Sequence, residues 1–345
     1  QSILLCRTTL DKLVQYNLID GNPTFDSDTV IHVPLNGRYL LSLGNTKEVL
    51  TRDSNTNQIS FLIKEKGNSS KLFLPYRAED VSDHNYDLEL KSSWKSEGDF
   101  KYLKNEFYYL NAERLGPRLS YDADQLDYPH VGWQGEYSIQ ILSQKKGDSI
   151  ENPGRGFKDE ADSKIINQVR SWMSYIIPGF YLDDATLEGR LKKAHTTFSK
   201  SSPTNVGFGI SYVLPVVVNG LIAKNDSLFI VENPEAHLHP SGQSRIGYFL
   251  AKIAATGPQV LIETHSEHVI NGIRIATLEN TLRSTDVIVN FFNRDQNNRT
   301  TTKEINITKT GDLTSYPKGF FDREQKDIST IVKLKNASLE DDKSS

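Results

Sequence analysis

The sequence predicts an α/β protein whose second half is built around a buried parallel sheet. Two apolar segments, 228–232 (LFIVE) and 259–263 (QVLIE), flank a helix-like segment at 241–256 (SGQSRIGYFLAKIAAT). Segments that are apolar on both faces are typical of parallel strands covered on both sides. The strand–helix–strand order favours a right-handed crossover between two parallel strands. An α/β core is therefore expected in this part of the chain.

The N-terminal region, residues 1–84, has the pattern of a helix followed by antiparallel strands. Residues 2–16 carry apolar side chains at helical spacing. Short apolar runs broken by turn residues, such as Asn36 and Gly37, then predict strands joined by hairpins. The predicted strands are residues 30–35, 38–44, 48–52, 58–65 and 71–77.

Residues 85–204 predict a helical insertion. Three segments have helical patterns, and a polar stretch with glycine and proline at 143–163 indicates a mobile loop. The core region then extends over 205–335, and the polar residues 336–345 predict a flexible tail. The three segments with helical patterns are 101–115, 162–176 and 184–198.

The composition excludes several classes of protein. The chain has 345 residues, and 40 Lys and Arg against 44 Asp and Glu give a net charge of −4. This charge argues against a globally basic nucleic-acid binder but leaves room for a local basic patch. The single cysteine, Cys6, excludes an intramolecular disulfide and a cysteine-based zinc site, and suits a cytoplasmic location. No apolar run approaches the ~20 residues of a membrane-spanning helix, so no membrane partner is expected.

Acidic and histidine side chains follow the two predicted core strands where each strand ends. Glu232 ends the first strand, Glu235 follows it, and His265 follows the second strand. Ligands of open α/β sheets bind beyond the carboxyl ends of the strands, so Glu232 or Glu235 is expected near His265. A carboxylate there can bind Mg²⁺ and its waters, and an imidazole can bind a γ-phosphate. Alternatively, the two glutamates only stabilise a helix start through its dipole.

A glycine-rich segment, 205–211 (NVGFGIS), precedes the apolar segment 212–223. Such a segment is either a turn before a helix or a phosphate contact made by backbone N–H groups at a helix start.

The order of these motifs resembles that of ABC-type ATPases in the SMC/RecF/OLD group. Residues 228–240 (LFIVENPEAHLHP) are similar to their Walker B strand and D-loop, 260–270 (VLIETHSEHVI) to their H-loop and 205–211 to their signature loop. Within the group, the chain resembles bacterial AAA/ABC ATPases with a short C-terminal domain of unknown function, over residues 1–335. Further motifs of that resemblance are LNGRYLLSLG (35–44), AERLGPR (112–118), GEY (135–137) and YPKGFFD (316–322).

The resemblance implies an ABC-type P-loop ATPase head with a strand-rich first lobe, a helical insertion and a RecA-like second lobe. It implies that Glu232 binds Mg²⁺, that Asn233 or Glu235 positions the attacking water, and that His265 contacts the γ-phosphate of ATP. Residues of the signature loop would contact ATP held by a second protomer, and the D-loop histidines would lie at the same dimer contact. These residues are Asn205, Gly207, Gly209 and Ser211 of the signature loop, with His237 and His239 of the D-loop.

The resemblance also implies partners. ATP would join two heads into a homodimer or a higher homo-oligomer, and hydrolysis would release them. Relatives act in DNA repair and in defence against phage. A DNA partner and a separate effector protein, such as a nuclease, are therefore implied.

The sequence departs from the family pattern in two places. It contains no G-x-x-x-x-G-K-[ST] loop, which would cradle the phosphates. Because the sequence begins at Gln1, inside a predicted helix, we expect this loop upstream and ATP hydrolysis when it is present. The family's Asp-Glu pair reads Glu232-Asn233 here. Since an amide cannot accept the proton of the attacking water, slow hydrolysis is expected.

Two other functions stay open at the level of sequence. A non-catalytic scaffold of the same fold is favoured by Asn233 and by the missing phosphate loop. A metal-dependent hydrolase would use clustered histidines, because imidazole is a common ligand of Zn, Fe and Ni. The histidines concerned are His237, His239, His265 and His268.

Arginines and aromatic residues of the remaining motifs have less defined roles. Arg114 and Arg118 either contact nucleotide or substrate, or take surface and ion-pair roles. Phe320 and Phe321 near the C-terminus are expected to pack rather than to form a site.

Overall fold

A computed structural model describes residues 2–15, 30–50, 56–64, 71–97, 101–297 and 299–344 of the chain. The α-helices are α1 (Ser2–Gln15), α2 (Thr46–Val49), α3 (Lys101–Lys104), α4 (Ser138–Lys145), α5 (Ile165–Ile176), α6 (Phe208–Ile222), α7 (Pro240–Ala254), α8 (Glu267–Leu278) and α9 (Arg323–Ser344). The β-strands are β1 (Ile31–Pro34), β2 (Asn36–Gly37), β3 (Leu41–Ser42), β4 (Gln58–Lys64), β5 (Lys71–Arg77), β6 (Asp87–Leu90), β7 (Lys95–Glu97), β8 (Phe107–Leu110), β9 (Tyr121–Asp122), β10 (Leu182–Glu188), β11 (Lys193–Phe198), β12 (Leu228–Glu232), β13 (Gln259–Glu263), β14 (Ile288–Arg294) and β15 (Thr300–Asn306).

The predicted parallel sheet is present, with the strand order β13-β12-β8. Leu228 of β12 lies opposite Gln259 of β13 on one side and Phe107 of β8 on the other, and both pairs are parallel. The carboxyl ends of all three strands therefore lie at one edge of the sheet. In α/β proteins this edge is the usual position of a ligand site.

The parallel sheet separates two hydrophobic cores. Successive side chains of a strand point to opposite faces, so each strand contributes to both cores. Tyr108 and Phe229 lie in the core formed with α4, α5, α6 and α7, whereas Tyr109 and Ile230 lie in the core formed with α1 and the N-terminal strands. This double burial explains why β8 and the first four residues of β12 are bulky and largely apolar.

The N-terminal lobe consists of α1 packed on an antiparallel sheet of order β1-β6-β5-β4, with β7 paired to β5. The hydroxyls of Thr9 on α1 and Tyr76 on β5 share a buried hydrogen bond of 2.7 Å. The helix predicted over 2–16 is confirmed by α1, and three predicted strands are confirmed by β1, β4 and β5.

Two predicted N-terminal strands are largely wrong. Within 38–44 the chain forms a 3-10 turn followed by the two-residue strand β3. Within 48–52 the described residues belong to the end of α2 and the residue after it, and 51–52 lie outside the described residues. Asn45 and Glu48 exchange side-chain to backbone hydrogen bonds at the start of α2, and this capping box favours a helix.

The prediction that residues 85–204 form a helical insertion is wrong, because strands make up much of this region. The predicted helix at 101–115 contains only the short α3, and Phe107–Leu110 form strand β8 instead. All four residues of β8 are buried because the strand is covered on both faces.

The segment 184–198 is a hairpin rather than the predicted helix. Strands β10 and β11 pair antiparallel, and Lys192 adopts a left-handed φ of 50° in the turn between them. Alternate residues of β11, including Ala194 and Thr196, are buried, as expected for a strand with one covered face. The helix predicted over 162–176 is confirmed by α5.

The stretch predicted as a mobile loop, 143–163, is fixed to the core at its two buried residues, Ile150 and Arg155, while much of the rest is exposed. Arg155 is fully buried within it and donates a hydrogen bond of 2.8 Å to the Thr256 hydroxyl. The Arg155 carbonyl accepts a hydrogen bond of 2.9 Å from the Trp172 indole. The charge of Arg155 is therefore held inside the protein and not in a solvated loop.

The C-terminal segment packs on α8. Strands β14 and β15 form a hairpin, and Ile305 of β15 joins Ile270 of α8 in a small apolar cluster. Phe320 and Phe321 pack against this cluster with their ring centroids 4.5 Å apart, which confirms the expected packing role. Helix α9 continues over residues 336–344. Within the described ranges, no helix has the length and apolar character needed to cross a bilayer.

Candidate functional site

Glu232 ends β12 and is held from the side of β8. Its Oε1 accepts a hydrogen bond of 3.1 Å from the Tyr109 hydroxyl, and its Oε2 accepts one of 3.1 Å from the Ala112 N–H. Burial and the nearby Glu232 carboxylate raise the pKa of Tyr109 above its ordinary value, so the phenol stays a donor. The half-buried Glu232 carboxylate is thus fixed at the carboxyl edge of the sheet.

Asn233 begins a turn in the left-handed region, with φ of 43°, which Asn tolerates better than most residues. Its N–H donates to the Glu263 carbonyl of β13 at 2.8 Å. The Arg114 guanidinium donates to the carbonyls of Glu232 and Asn233 at 2.8 and 2.6 Å. The Asn233 Oδ1 is buried and has no hydrogen-bond partner among the described residues.

Glu235 and His265 come together as predicted, through the backbone of His265. The His265 N–H donates to Glu235 Oε1 at 3.0 Å, and the second oxygen, Oε2, is buried without a partner in the described ranges. The His265 ring is 84% exposed, with its Nε2 3.6 Å from Glu263 Oε1. The ring is therefore free to meet a ligand from the solvent side, and its role stays a prediction.

The oxygens at this edge fit a magnesium ion that keeps most of its waters. Mg²⁺ is usually bound through one or two carboxylates together with waters and phosphate oxygens. Glu232 offers a carboxylate, while Asn233 Oδ1 and Glu235 Oε2 are the buried acceptors described above. An unsatisfied buried acceptor costs about 1–3 kcal/mol, so these atoms favour a site that receives a cation or a donor.

The histidines do not converge on a metal site. The His237 ring packs against Tyr212 with centroids 4.6 Å apart, and His239 Nδ1 accepts the N–H of Ser241 at the start of α7. Over the part of the chain that the structure describes, no three His, Cys, Asp or Glu side chains are grouped to hold a metal ion. The histidine-based hydrolase therefore has no support in the structure.

The glycine-rich segment forms the start of α6. Asn205 and Gly207 are exposed, and Gly207 directly precedes the helix, whereas Ser211 is buried inside it. A Cβ on Gly209 would lie 2.8 Å from the His237 carbonyl oxygen, so only glycine allows this close approach. The start of a helix carries free N–H groups and a positive partial charge, which suit an anion.

The structure thus forms two groups from the predicted residues. Glu232, Asn233, Glu235 and His265 share the carboxyl edge, and Gly209 meets His237 beside it. In the described ranges, no hydrogen bond joins the exposed residues of the signature segment or Ser211 to the edge group.

Three contacts of the site come from residues around the AERLGPR motif, of which the sequence indicated only Arg114 as a candidate nucleotide or substrate contact. Tyr109, Ala112 and Arg114 lie on β8 or directly after it, and the incorrect helix prediction over 101–115 obscured their position at the sheet edge. The available signal was the run of four bulky apolar residues, Phe107–Leu110, which directly precedes the AERLGPR motif.

Two family matches cover the predicted residues of β12, β13 and the start of α6 and the C-terminal segment after them. Residues 139–270 match the AAA ATPase domain family, and residues 282–331 match DUF3696, a protein family of unknown function. Residues 139–270 are thus similar to an AAA ATPase domain. All predicted site residues lie inside that domain, and the expected combination of an ATPase with a C-terminal domain of unknown function is confirmed. The predicted α/β ATPase fold is confirmed as well.

A solved chain from a structural study of ATP-driven dimerisation and DNA-stimulated activation of SMC ATPases is also similar to this chain. The alignment has a TM-score of 0.29 and 8% sequence identity, and it covers 42% of this chain and 84% of that chain. No curated protein matches the sequence.

Proposed function

We propose that this chain binds ATP and Mg²⁺ at the carboxyl edge of β8, β12 and β13 and hydrolyses ATP slowly. The observation that carries the proposal is the set of oxygens at this edge of the AAA ATPase domain. The Glu232 carboxylate lies there, and Asn233 Oδ1 and Glu235 Oε2 are buried without partners among the described residues. A nucleotide with its magnesium ion and attacking water supplies the cation and donors that these acceptors lack.

The residues take distinct roles in this proposal. Glu232 binds Mg²⁺ together with its waters, and His265 donates a hydrogen bond to the γ-phosphate from its exposed ring. Asn233 orients the attacking water, and Glu235 accepts the proton that this water releases when it attacks the γ-phosphorus. The P–O bond to ADP breaks and phosphate leaves. Hydrolysis is slow because Glu235 already accepts the His265 N–H, so its position is less free than that of a dedicated base.

ATP binding also requires a loop that holds the phosphates. The sequence Gln1–Ser345 contains no glycine-rich loop with a lysine of this kind. The edge of β13 that faces away from β12 pairs with no strand in the described part of the chain, and Leu261 on β13 is 42% exposed. Exposed apolar strand edges readily accept a further strand. This edge therefore supports the proposal that a strand and loop outside these residues complete the site.

A second copy of the chain is the proposed partner of the α6 start. Asn205, Gly207 and Gly209 would contact ATP bound to the other copy, so that ATP joins two heads and hydrolysis separates them. Ser211 is buried and takes no part in this contact. The exposure of Asn205, Gly207 and Phe208 supports such a contact. From the family resemblance, we propose that this switch controls a separate effector, such as a nuclease, in DNA repair or anti-phage defence.

The test is ATP turnover by the full-length protein with Glu232→Gln and His265→Ala. Each change is expected to lower kcat about a hundredfold, the scale of losing one group that acts on the transition state. Glu188→Gln and His195→Ala serve as matched controls, because Glu188 is exposed and His195 is partly exposed on the β10–β11 hairpin, away from the sheet edge. Hydrolysis that is unchanged in both site variants would overturn the site assignment.

A non-catalytic scaffold is the second candidate, and Asn233 is the observation that favours it. In this case the protein would bind ATP, measured by equilibrium titration, without releasing phosphate. Magnesium-dependent phosphate release that is abolished by Glu232→Gln would exclude the scaffold.

A further inference from the structure

Arg114 is a buried cation without a carboxylate partner. It is 3% exposed, and no salt bridge to it occurs among the described residues. Burial lowers the pKa of Arg114 to about 10, and the nearby Tyr212, Glu235 and Glu232 oppose this change, so the side chain stays charged at neutral pH. A buried charge lowers stability unless its hydrogen bonds are made. The role of Arg114 is therefore inferred from the groups to which its guanidinium donates hydrogen bonds.

The guanidinium bonds to backbone carbonyls around the turn after β12. It donates to Glu232 and Asn233 as described, and also to the Asn111 carbonyl at 3.3 Å. The flat, forked shape of arginine fixes the directions of two neighbouring carbonyls at once, which a lysine cannot do. Arg114 therefore holds the left-handed turn at Asn233, and with it the directions of the Asn233 and Glu235 side chains.

The same guanidinium also contacts α6. Its carbon lies 5.2 Å from the centroid of the Tyr212 ring, within the range of a cation–π contact. Tyr212 packs edge-on against His237 in the turn after β12. A Cβ on Gly116, two residues after Arg114, would lie 2.7 Å from the Phe208 ring at the start of α6. The loop after β8 thus meets the start of α6 at two points.

We infer that Arg114 is a positioning residue that couples the start of α6 to the turn after β12. The inference deepens the proposed function, on which it rests for its consequence, because it makes the α6 surface a regulator of the hydrolytic edge. When a second copy moves α6, the Tyr212 ring moves with it, and the guanidinium transmits the shift to the carbonyls of Glu232 and Asn233. Water positioning then depends on dimer contact.

The first test follows the turn directly and needs no turnover. Hydrogen exchange is measured on peptides that span 232–238 in the full-length protein and in Tyr212→Leu and Tyr212→Phe. The phenylalanine keeps the ring, so its exchange should match the parent protein. The leucine should raise exchange in the turn by about tenfold, the scale of weakening one charge-assisted hydrogen bond. Unchanged exchange in Tyr212→Leu would overturn the coupling.

The second test measures kcat and KM for ATP in Arg114→Lys and Arg114→Met. We expect kcat to fall about tenfold for lysine and further for methionine, with KM changed less than about twofold, because positioning acts on the transition state. Arg190→Met is the matched control, since Arg190 is an exposed arginine in the turn between β10 and β11 and has no proposed role in the site. Thermal unfolding identifies variants that fail to fold, and the lysine and Tyr212 variants then decide.

The two ideas fail in different ways. Absence of turnover in the parent protein would overturn the proposed function, while hydrogen exchange would still decide the coupling. Turnover in the parent with equal kcat in Arg114→Lys, Arg114→Met and Arg190→Met would overturn the coupling alone.

Discussion

Two buried arginines, Arg155 and Arg114, each bind a polar turn to the core of the protein. They differ in how many of their hydrogen-bond donors have an acceptor. Arg155 donates from every guanidinium nitrogen, to the carbonyls of Leu221 in the last turn of α6 and Ala223 directly after it, and to the side chains of Asn225 and Thr256. These carbonyls lie at a helix C-terminus, where the dipole favours a cation. Burial lowers the pKa of Arg155 below its ordinary value. Every guanidinium nitrogen of Arg155 therefore has a hydrogen-bond acceptor.

Arg114 holds a comparable turn, but some buried donors and acceptors around it make no hydrogen bond among the described residues. Its Nε is buried without a partner in the described ranges, and so are Asn233 Oδ1 and Glu235 Oε2. Native proteins leave few such groups, and each is a reason to look for a missing ligand or water. The comparison indicates that the hydrogen bonds of Arg155 serve stability. Around Arg114, the unsatisfied hydrogen-bonding groups remain available for function.

The largest expected effect is loss of stability in Arg155→Met. The change leaves the buried carbonyls of Leu221 and Ala223 without their donor, removes the hydrogen bonds to Asn225 and Thr256, and should lower the free energy of unfolding by about 3–5 kcal/mol. Urea unfolding measures this directly. Arg114→Met should lose less stability, since it starts with one nitrogen unbonded. A loss for Arg155→Met no larger than that for Arg114→Met would break the comparison.

A partly buried base, His130, differs from both arginines because folding holds it neutral. Burial lowers the pKa of His130 to about 4, with nearby Asp127 opposing the change, and its ring stacks on Trp133 with centroids 4.9 Å apart. Below about pH 6.5 the unfolded chain takes up a proton that the folded chain does not. Stability is therefore full above that pH and decreases as the pH falls towards 4, by about 2 kcal/mol between pH 7 and 5.

Urea unfolding at the two pH values measures the His130 effect against His130→Phe. The phenylalanine keeps the stacking on Trp133 but cannot titrate, so its stability should depend less on pH by that amount. Equal pH dependence in both proteins would contradict the prediction.

The Asn233 position separates turnover from stability. Asn233→Glu supplies a carboxylate base and should raise kcat by about tenfold to a hundredfold, the lower range of general-base catalysis. The left-handed φ of 43° makes glutamate cost about 1 kcal/mol of stability there. Asn280→Glu is the matched control, because Asn280 also has a left-handed φ, of 57°, and lies outside the site at the end of α8. A kcat that falls or stays constant would argue for the scaffold.

The smallest expected effect compares two glycines of one segment. A Cβ on Gly209 would meet the His237 carbonyl, whereas a Cβ on Gly207 would have no atom within 4 Å among the described residues. Gly209→Ala should lower the free energy of unfolding by about 1–3 kcal/mol, because backbone must move. Gly207→Ala should cost less than about 1 kcal/mol, as a weaker helix cap. Thermal unfolding of both variants measures the difference, and equal losses would contradict the close approach of α6.

The sequence predicted the parts of the fold in which local pattern and tertiary position agree. β12, α7 and β13 were recognisable because strand and helix periods alternate there, and the edge position of Glu232 and Glu235 followed from chain direction. β8 was missed because a short strand buried on both faces has no period of its own. The role of Arg155 was missed because its partners, such as Thr256, are distant in sequence and only tertiary packing brings them together.

The sheet between the two cores has a consequence for how the protein folds. Phe107 of β8 pairs with Leu228 of β12, about 120 residues further along the chain, so the loop that closes this pairing is long and entropically costly. Neither core is complete until the pairing forms, because Tyr108 belongs to one core and Tyr109 to the other. Loss of this one strand would expose apolar surface on both sides at once. The N-terminal lobe and the ATPase region should therefore melt in a single cooperative transition rather than one after the other.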